Sequence, residues 1–142
     1  MILQCNEVFI HMKLCLRGLK EFGFSKQLMN DFFQLLQSEL PLSQDITIHL
    51  TNQREGKMTT GVRNPDEMKV LAGGRMLIDI LRTISHEWVH EYQYQKMGLS
   101  EDEPIQDIGG PEENMASVLG SIFIKKFQKE FPEYTDELYG RN

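Results

Sequence analysis

Arg75-Met76-Leu77-Ile78-Asp79-Ile80-Leu81-Arg82-Thr83-Ile84-Ser85-His86-Glu87-Trp88-Val89-His90-Glu91-Tyr92-Gln93-Tyr94-Gln95-Lys96-Met97 is the stretch on which the reading of this 142-residue chain turns. Leu77, Leu81, Ile84, Trp88 and Tyr92 recur at helical spacing and make one apolar stripe, and Gly98 suits the end of such a helix. At about 100° per residue, His86 and His90 fall nearly opposite that stripe, with Asp79, Thr83, Gln93 and Tyr94 roughly on their side. The helix can therefore bury one face in a core and turn the histidines toward a cleft.

Inside the stretch, His86-Glu87-Trp88-Val89-His90 reads His-Glu-x-x-His. Residues four apart share a helix face, so both imidazoles can grip one Zn²⁺, and Glu87 beside them can take a proton from a water on that metal. The same pattern also arises by chance on a solvated helix face. The amphipathic setting and the carboxylates that follow favour the metal reading and imply a metal-dependent hydrolase. A catalytic zinc takes three protein ligands and keeps a fourth position open. His11 and His49 lie upstream, one read on a helix surface and one on a strand, and a lone histidine is usually structural. Asp102, Glu103, Asp107, Glu112 and Glu113 are the carboxylate candidates. The first three read as solvated loop residues. Glu112 and Glu113 open a helix, where acids are also favoured by the dipole. Ser117, Gly120 and Ile124 share the Glu113 side, and small residues there allow close approach to the histidine helix. Glu113 is therefore preferred over Glu112.

Outward from this centre, composition sets bounds. One domain over residues 1–142 is the natural division at this length. The apolar fraction of 40% supports a real core, and a net charge of −6 argues against a nucleic-acid or cationic membrane-surface protein. No stretch has the ~20 apolar residues of a membrane span, and no signal peptide is evident, so the cytoplasm is the expected compartment.

Helical spacing of Val8, Met12, Cys15, Leu16 and Leu19 predicts a first helix over Leu3 to Phe22. On it, the only cysteines, Cys5 and Cys15, would lie roughly 15 Å apart and stay reduced. A second helix is predicted over Ser25 to Leu40, capped by Ser25 and stopped by Pro41. Alternation predicts a strand over Asp45 to Thr51 with Ile46, Ile48 and Leu50 on one face. Two shorter strands are predicted over Met58 to Arg63 and Glu67 to Ala72. An acidic loop, Leu99 to Pro111, leads to a last helix over Glu112 to Phe131. Pro132 to Asn142 reads as a mobile tail or short turn.

The residues resemble the zincin metallopeptidases in their gluzincin form, where a His-Glu-x-x-His helix is followed by a helix bearing a glutamate ligand. Glu113-Asn114-Met115-Ala116-Ser117-Val118-Leu119-Gly120 is similar to the Glu-x-x-Ala-Asn-x-Phe-Ala run of ImmA/IrrE-type peptidases, and the layout to small zincin-like proteins of bacteriophages. Ser117 departs from the Asn or Asp often found there. The resemblance covers Arg75 to Phe127. It implies an α+β, minimal zincin-like fold, with a small mixed or antiparallel sheet packed on the active-site helix. It further implies one Zn²⁺ on His86, His90 and Glu113, Glu87 as general base, and a peptide or protein substrate paired along an edge strand. Tyr94, one turn past His90, is the candidate stabiliser of the oxyanion, ahead of Tyr92. The alternatives are a catalytically inactive zincin-like binding module, in a phage, host or regulatory setting, and a metal-free helical adaptor. A zincin acting on DNA-bound proteins fits the acidic balance less well, and Lys125, Lys126 and Lys129 read as a solvated helix face. Oligomeric state is left open.

Overall fold

The computed structural model describes residues 3–9 (as backbone), 12–54, 60–65, 67–99 and 110–141. Alternation, not helical spacing, governs the N-terminal segment. Strands β1 (Leu3–Phe9) and β2 (Met12–Arg17) pair antiparallel, with Leu3 opposite Arg17. Along β2, Met12, Leu14 and Leu16 are buried while Lys13 and Arg17 are exposed. The helix predicted over Leu3 to Phe22 is thus corrected to a hairpin followed by one helical turn, α1 (Leu19–Phe22). The apolar residues of this segment fit both periods, and β2 gains strand partners on both sides, which decides the matter. Gly18 makes the turn into α1 at φ 89°, and a Cβ there would lie 2.5 Å from the Leu50 carbonyl oxygen. The cysteine expectation falls with the helix. Cys5 and Cys15 are register partners across the hairpin, and Cys15 is disulfide-bonded.

Helix α2 (Lys26–Glu39) starts as predicted, Ser25 Oγ accepting from the Leu28 amide at 3.1 Å. It is followed by β3 (Ile46–Thr51), β4 (Gly61–Asn64) and β5 (Glu67–Leu71). Met58 and Thr59, assigned above to the second strand, lie outside the described residues. The five strands form one mixed sheet in the order β1-β2-β3-β5-β4. The β2–β3 and β3–β5 pairs are parallel and the two outer pairs antiparallel. The fold class is α+β, as expected, and β4 is an edge while β5 is interior. Ile46, Ile48 and Leu50 point into the core, and the intervening residues of β3 do not.

Helices α3 (Leu77–Lys96) and α4 (Pro111–Glu130) complete the core with α2. Trp88 stacks on Phe33 at 6.3 Å, and its indole N–H donates to the Leu40 carbonyl at 2.9 Å. Phe32 meets Phe127 edge-on at 5.1 Å. Each such side chain, fully buried, stabilises the fold by roughly 1.5–3 kcal/mol relative to exposure. The C-terminal segment is not a loose tail. A 3-10 turn (Pro132–Tyr134) and α5 (Thr135–Leu138) fold back on the core. Leu138 is buried, the Tyr134 hydroxyl donates to Asp31 at 2.6 Å, and Glu137 accepts from the Ser25 amide at 2.8 Å. Among the described residues, no helix is long and apolar enough to cross a membrane.

Candidate metal centre

Helix α3 runs beside β5 and the edge strand β4 and is crossed by α4. Its apolar stripe, including Leu77, Leu81, Ile84 and Trp88, is buried as the periodicity requires. His86 and His90 stand one turn apart on another face, and Glu113 reaches them from the first turn of α4. Glu113 Oε1 lies 2.8 Å from His86 Nε2, and its Oε2 lies 3.0 Å from His90 Nε2. The two Nε2 atoms are 3.2 Å apart. Among the described residues, these three side chains form a group close enough to share one ion, all ligand atoms lying within 4.8 Å of one another.

The donor chemistry fits a divalent cation. Two imidazoles and a carboxylate are a ligand set that zinc accepts, and the two Nε2 atoms, with a Glu113 oxygen beside each, are close enough to share one ion. Gln93, 1% exposed, tells which nitrogen of His90 is protonated. Its Nε2 donates to the Glu112 carbonyl at 2.9 Å, so its Oε1 faces His90 Nδ1, also at 2.9 Å. That oxygen only accepts, so Nδ1 carries a proton, and Nε2 is the nitrogen turned toward the cluster. Burial lowers the His86 pKa, against the pull of Glu113, and so favours a neutral ring with a lone pair to give. Gln93 falls three residues after His90, on the same helix face. That spacing was legible, but its bond to Glu112, across the α3–α4 crossing, was not.

Glu87 is 8% exposed. Burial is the chief reason its pKa is pushed up to about 7; Glu113 adds to the rise, while His90 and Arg63 oppose it. The strand β4 passes directly over it. A Cβ on Gly61 would lie 3.2 Å from Glu87 Cγ and 2.6 Å from Thr83 Cγ2, so only glycine lets the strand come this close. Arg63, two residues on, forms a buried ion pair with Glu91 at 2.7 Å and ties β4 to α3. The Glu87, His86 and Glu113 side chains line an open cleft of about 450 Å³, walled by Thr60 and Gly61 on one side and by the first two turns of α3 on the other.

The remaining candidates lie elsewhere. Glu112 contributes its backbone carbonyl to Gln93 and stands outside the ligand group. Asp102, Glu103, Asp107 and His11 are outside the described residues. Tyr94 does not line the cleft; its ring lies under the Arg63 guanidinium, 3.9 Å from ring centroid to Cζ. Tyr92 packs against the core. Of the lysine run, Lys126 pairs with Glu39 on the surface. Neither a protein-family model, nor a curated protein, nor a solved structure matches the chain.

Proposed function

We propose that the chain is a zinc-dependent peptidase. The observation that carries this reading is the convergence of His86, His90 and Glu113, two of which line an open cleft that also holds a buried carboxyl, Glu87. When bound, zinc supplies a Lewis acid that makes water acidic near neutral pH and polarises a carbonyl. Glu87, with a pKa near 7, is suited to accept a proton from the attacking water and return it to the leaving amine. The edge of β4 borders the cleft and offers backbone groups for pairing with an extended peptide. Tyr94 has no part in this scheme.

Metal analysis of the zinc-loaded protein should give about one zinc per chain, as three ligands and one open position require. Glu87→Gln should keep that zinc and lose peptide hydrolysis by roughly 10²–10⁴-fold, the usual worth of a positioned general base. Protein that takes up no metal would end the reading. A Glu87→Gln protein as active as the parent would remove Glu87 from the chemistry. Zinc binding with no hydrolysis of any peptide would leave the alternative, a zincin-like binding module.

A further inference from the structure

The cleft has a composition that the metal site does not require. Among the described residues, no apolar side chain lines it. Beyond the ligands and Glu87, its wall carries Arg75, Asp79, Arg82 and Thr83, so two guanidinium groups face one carboxylate there. Arg82 Nη1 donates to Asp79 Oδ1 at 2.8 Å, an exposed pair, which accounts for that carboxylate. Arg75 is placed differently. Its Nη1 donates to the Leu71 carbonyl at 2.7 Å; its Nη2 donates to the Asp79 carbonyl at 3.0 Å and to Thr83 Oγ1 at 2.9 Å. All three acceptors are neutral, and no carboxylate among the described residues lies within ion-pair range of it.

A guanidinium has five N–H donors in a rigid fork. Three bonds hold the Arg75 fork at a fixed angle between the end of β5 and the start of α3, leaving two N–H groups without a bond and the charge without a bonded anion. Burial lowers the Arg75 pKa despite the nearby Asp79, which marks a cation whose lost hydration is not fully replaced. A positive group held rigid at the wall of a cleft, with no anion bonded to it, is arranged to receive one.

We propose that Arg75 and Arg82 bind a carboxylate of the substrate beside the metal centre, so that the site selects acidic peptides. The carboxylate can belong to an Asp or Glu side chain or to a chain terminus, and the shared chemistry is what the two arginines recognise. This specificity rests on the peptidase reading for its consequence but not for its measurement, because binding can be read without turnover.

The experiment uses full-length Glu87→Gln protein with zinc added, dialysed against pools of acetylated and amidated decapeptides, random except for a fixed central Glu, Gln or Lys. A fourth pool has central Gln and a free C-terminal carboxylate. Mass spectrometry reads the retained fraction. Either the Glu pool or the free-carboxylate pool should bind roughly tenfold tighter than the amidated Gln pool, between the worth of an exposed pair and that of a desolvated charge-assisted bond. The Lys pool should bind least, and the preference should shrink at high salt.

Arg82→Gln, at a half-exposed position, should reduce the ratio to a few-fold. Arg75→Gln should reduce it as well, unless loss of its three bonds unfolds the protein, in which case Arg82→Gln alone decides. Equal retention of the amidated Glu and Gln pools and the free-carboxylate pool, whether strong or absent, overturns the proposal. So does a best-bound Lys pool, or a ratio untouched by Arg82→Gln. Cleavage of the pools by the parent protein is scored separately. Its absence counts against the peptidase reading and leaves the binding ratio to judge the arginines.

Discussion

Two of the elements packed on helix α3 approach it through a glycine. On one side, the edge strand β4 comes so near at Gly61 that a Cβ would meet Thr83 Cγ2 at 2.6 Å. On the other, α4 crosses at Gly120, where the nearest atoms to an added Cβ would be the His86 amide nitrogen and Ser85 Cβ, both at 3.7 Å. The strand side has no room and is locked by the buried Arg63–Glu91 pair. The helix side has ordinary clearance, and polar bonds that meet at the ligands hold it: Gln93 to Glu112 and to His90, and Glu113 to both histidines. Sterics thus set the cleft wall over Glu87, while hydrogen bonds set the third metal ligand. The two sides should fail in different ways when disturbed.

The largest effect belongs to the carboxyl that β4 covers. Glu87 has a folded pKa of about 7 against an ordinary 4.5. Below the lower value both folded and unfolded chains carry the proton, and the group costs nothing. Between the two values the unfolded chain releases it while the folded chain holds it, so stability falls as pH rises, until the folded group ionises near pH 7. The loss for metal-free protein at about pH 8 is of order 3 kcal/mol. Glu87→Gln removes the titration. In chelator-treated protein, it should raise the melting temperature by several degrees at about pH 8 and hardly at all near pH 4. Equal shifts at both pH values would mean that the strand does not bury this carboxyl as described.

The helix side is tested through metal affinity instead. Gln93→Met keeps the length of the side chain but removes both the acceptor for His90 Nδ1 and the donor to the Glu112 carbonyl. Loss of such a supporting partner typically weakens metal binding 10–100-fold, and chelator competition should show a loss in that range. Gln93→Glu restores the acceptor and should recover part of the affinity. If Gln93→Met lowers thermal stability but leaves zinc affinity unchanged, Gln93 is a packing residue and the polar account of this side fails.

Much of the centre was legible because α3 and α4 each carry a helical period unbroken over 20 residues. Leu77, Leu81, Ile84 and Trp88 marked the buried stripe, the histidines fell away from it, and Gly120 and Ile124 marked the face that brings Glu113 inward; Ser117, read on that face, is exposed, and Ala116 beside it is buried instead. The alternation of Ile46, Ile48 and Leu50 named β3 for the same local reason. What the sequence hid depends on distant partners. Residues 3–17 satisfy helical spacing and alternation alike, and pairing of β2 with β3, some thirty residues on, chooses the strand. Leu138 is buried because neighbouring Tyr134 and Glu137 reach Asp31 and Ser25 on α2 and its cap. Tyr94 shares the histidine side of the wheel, but Arg63, from a strand thirty-one residues earlier, covers its ring. The wheel gives a direction from the helix axis, and only the neighbours say what occupies it.

The smallest predicted effects separate the two glycines most directly. Gly61→Ala would set a Cβ 2.6 Å from Thr83 Cγ2. Thr83 cannot readily turn away, because its Oγ1 donates to the Asp79 carbonyl and accepts from Arg75. The strand must shift off α3, at a cost of about 1 kcal/mol, the lower end for overpacking. Gly120→Ala adds a methyl group at ordinary contact distance inside a helix, where alanine is favoured over glycine by roughly 0.5–1 kcal/mol. It should therefore stabilise the protein by up to that amount and leave zinc affinity unchanged. Denaturant titration of the two variants gives opposite signs if β4 is held by exclusion and α4 by polar ties. Destabilisation by both would mean that α4 sits as tightly against the histidine helix as the strand does, and the distinction between the two sides would be lost.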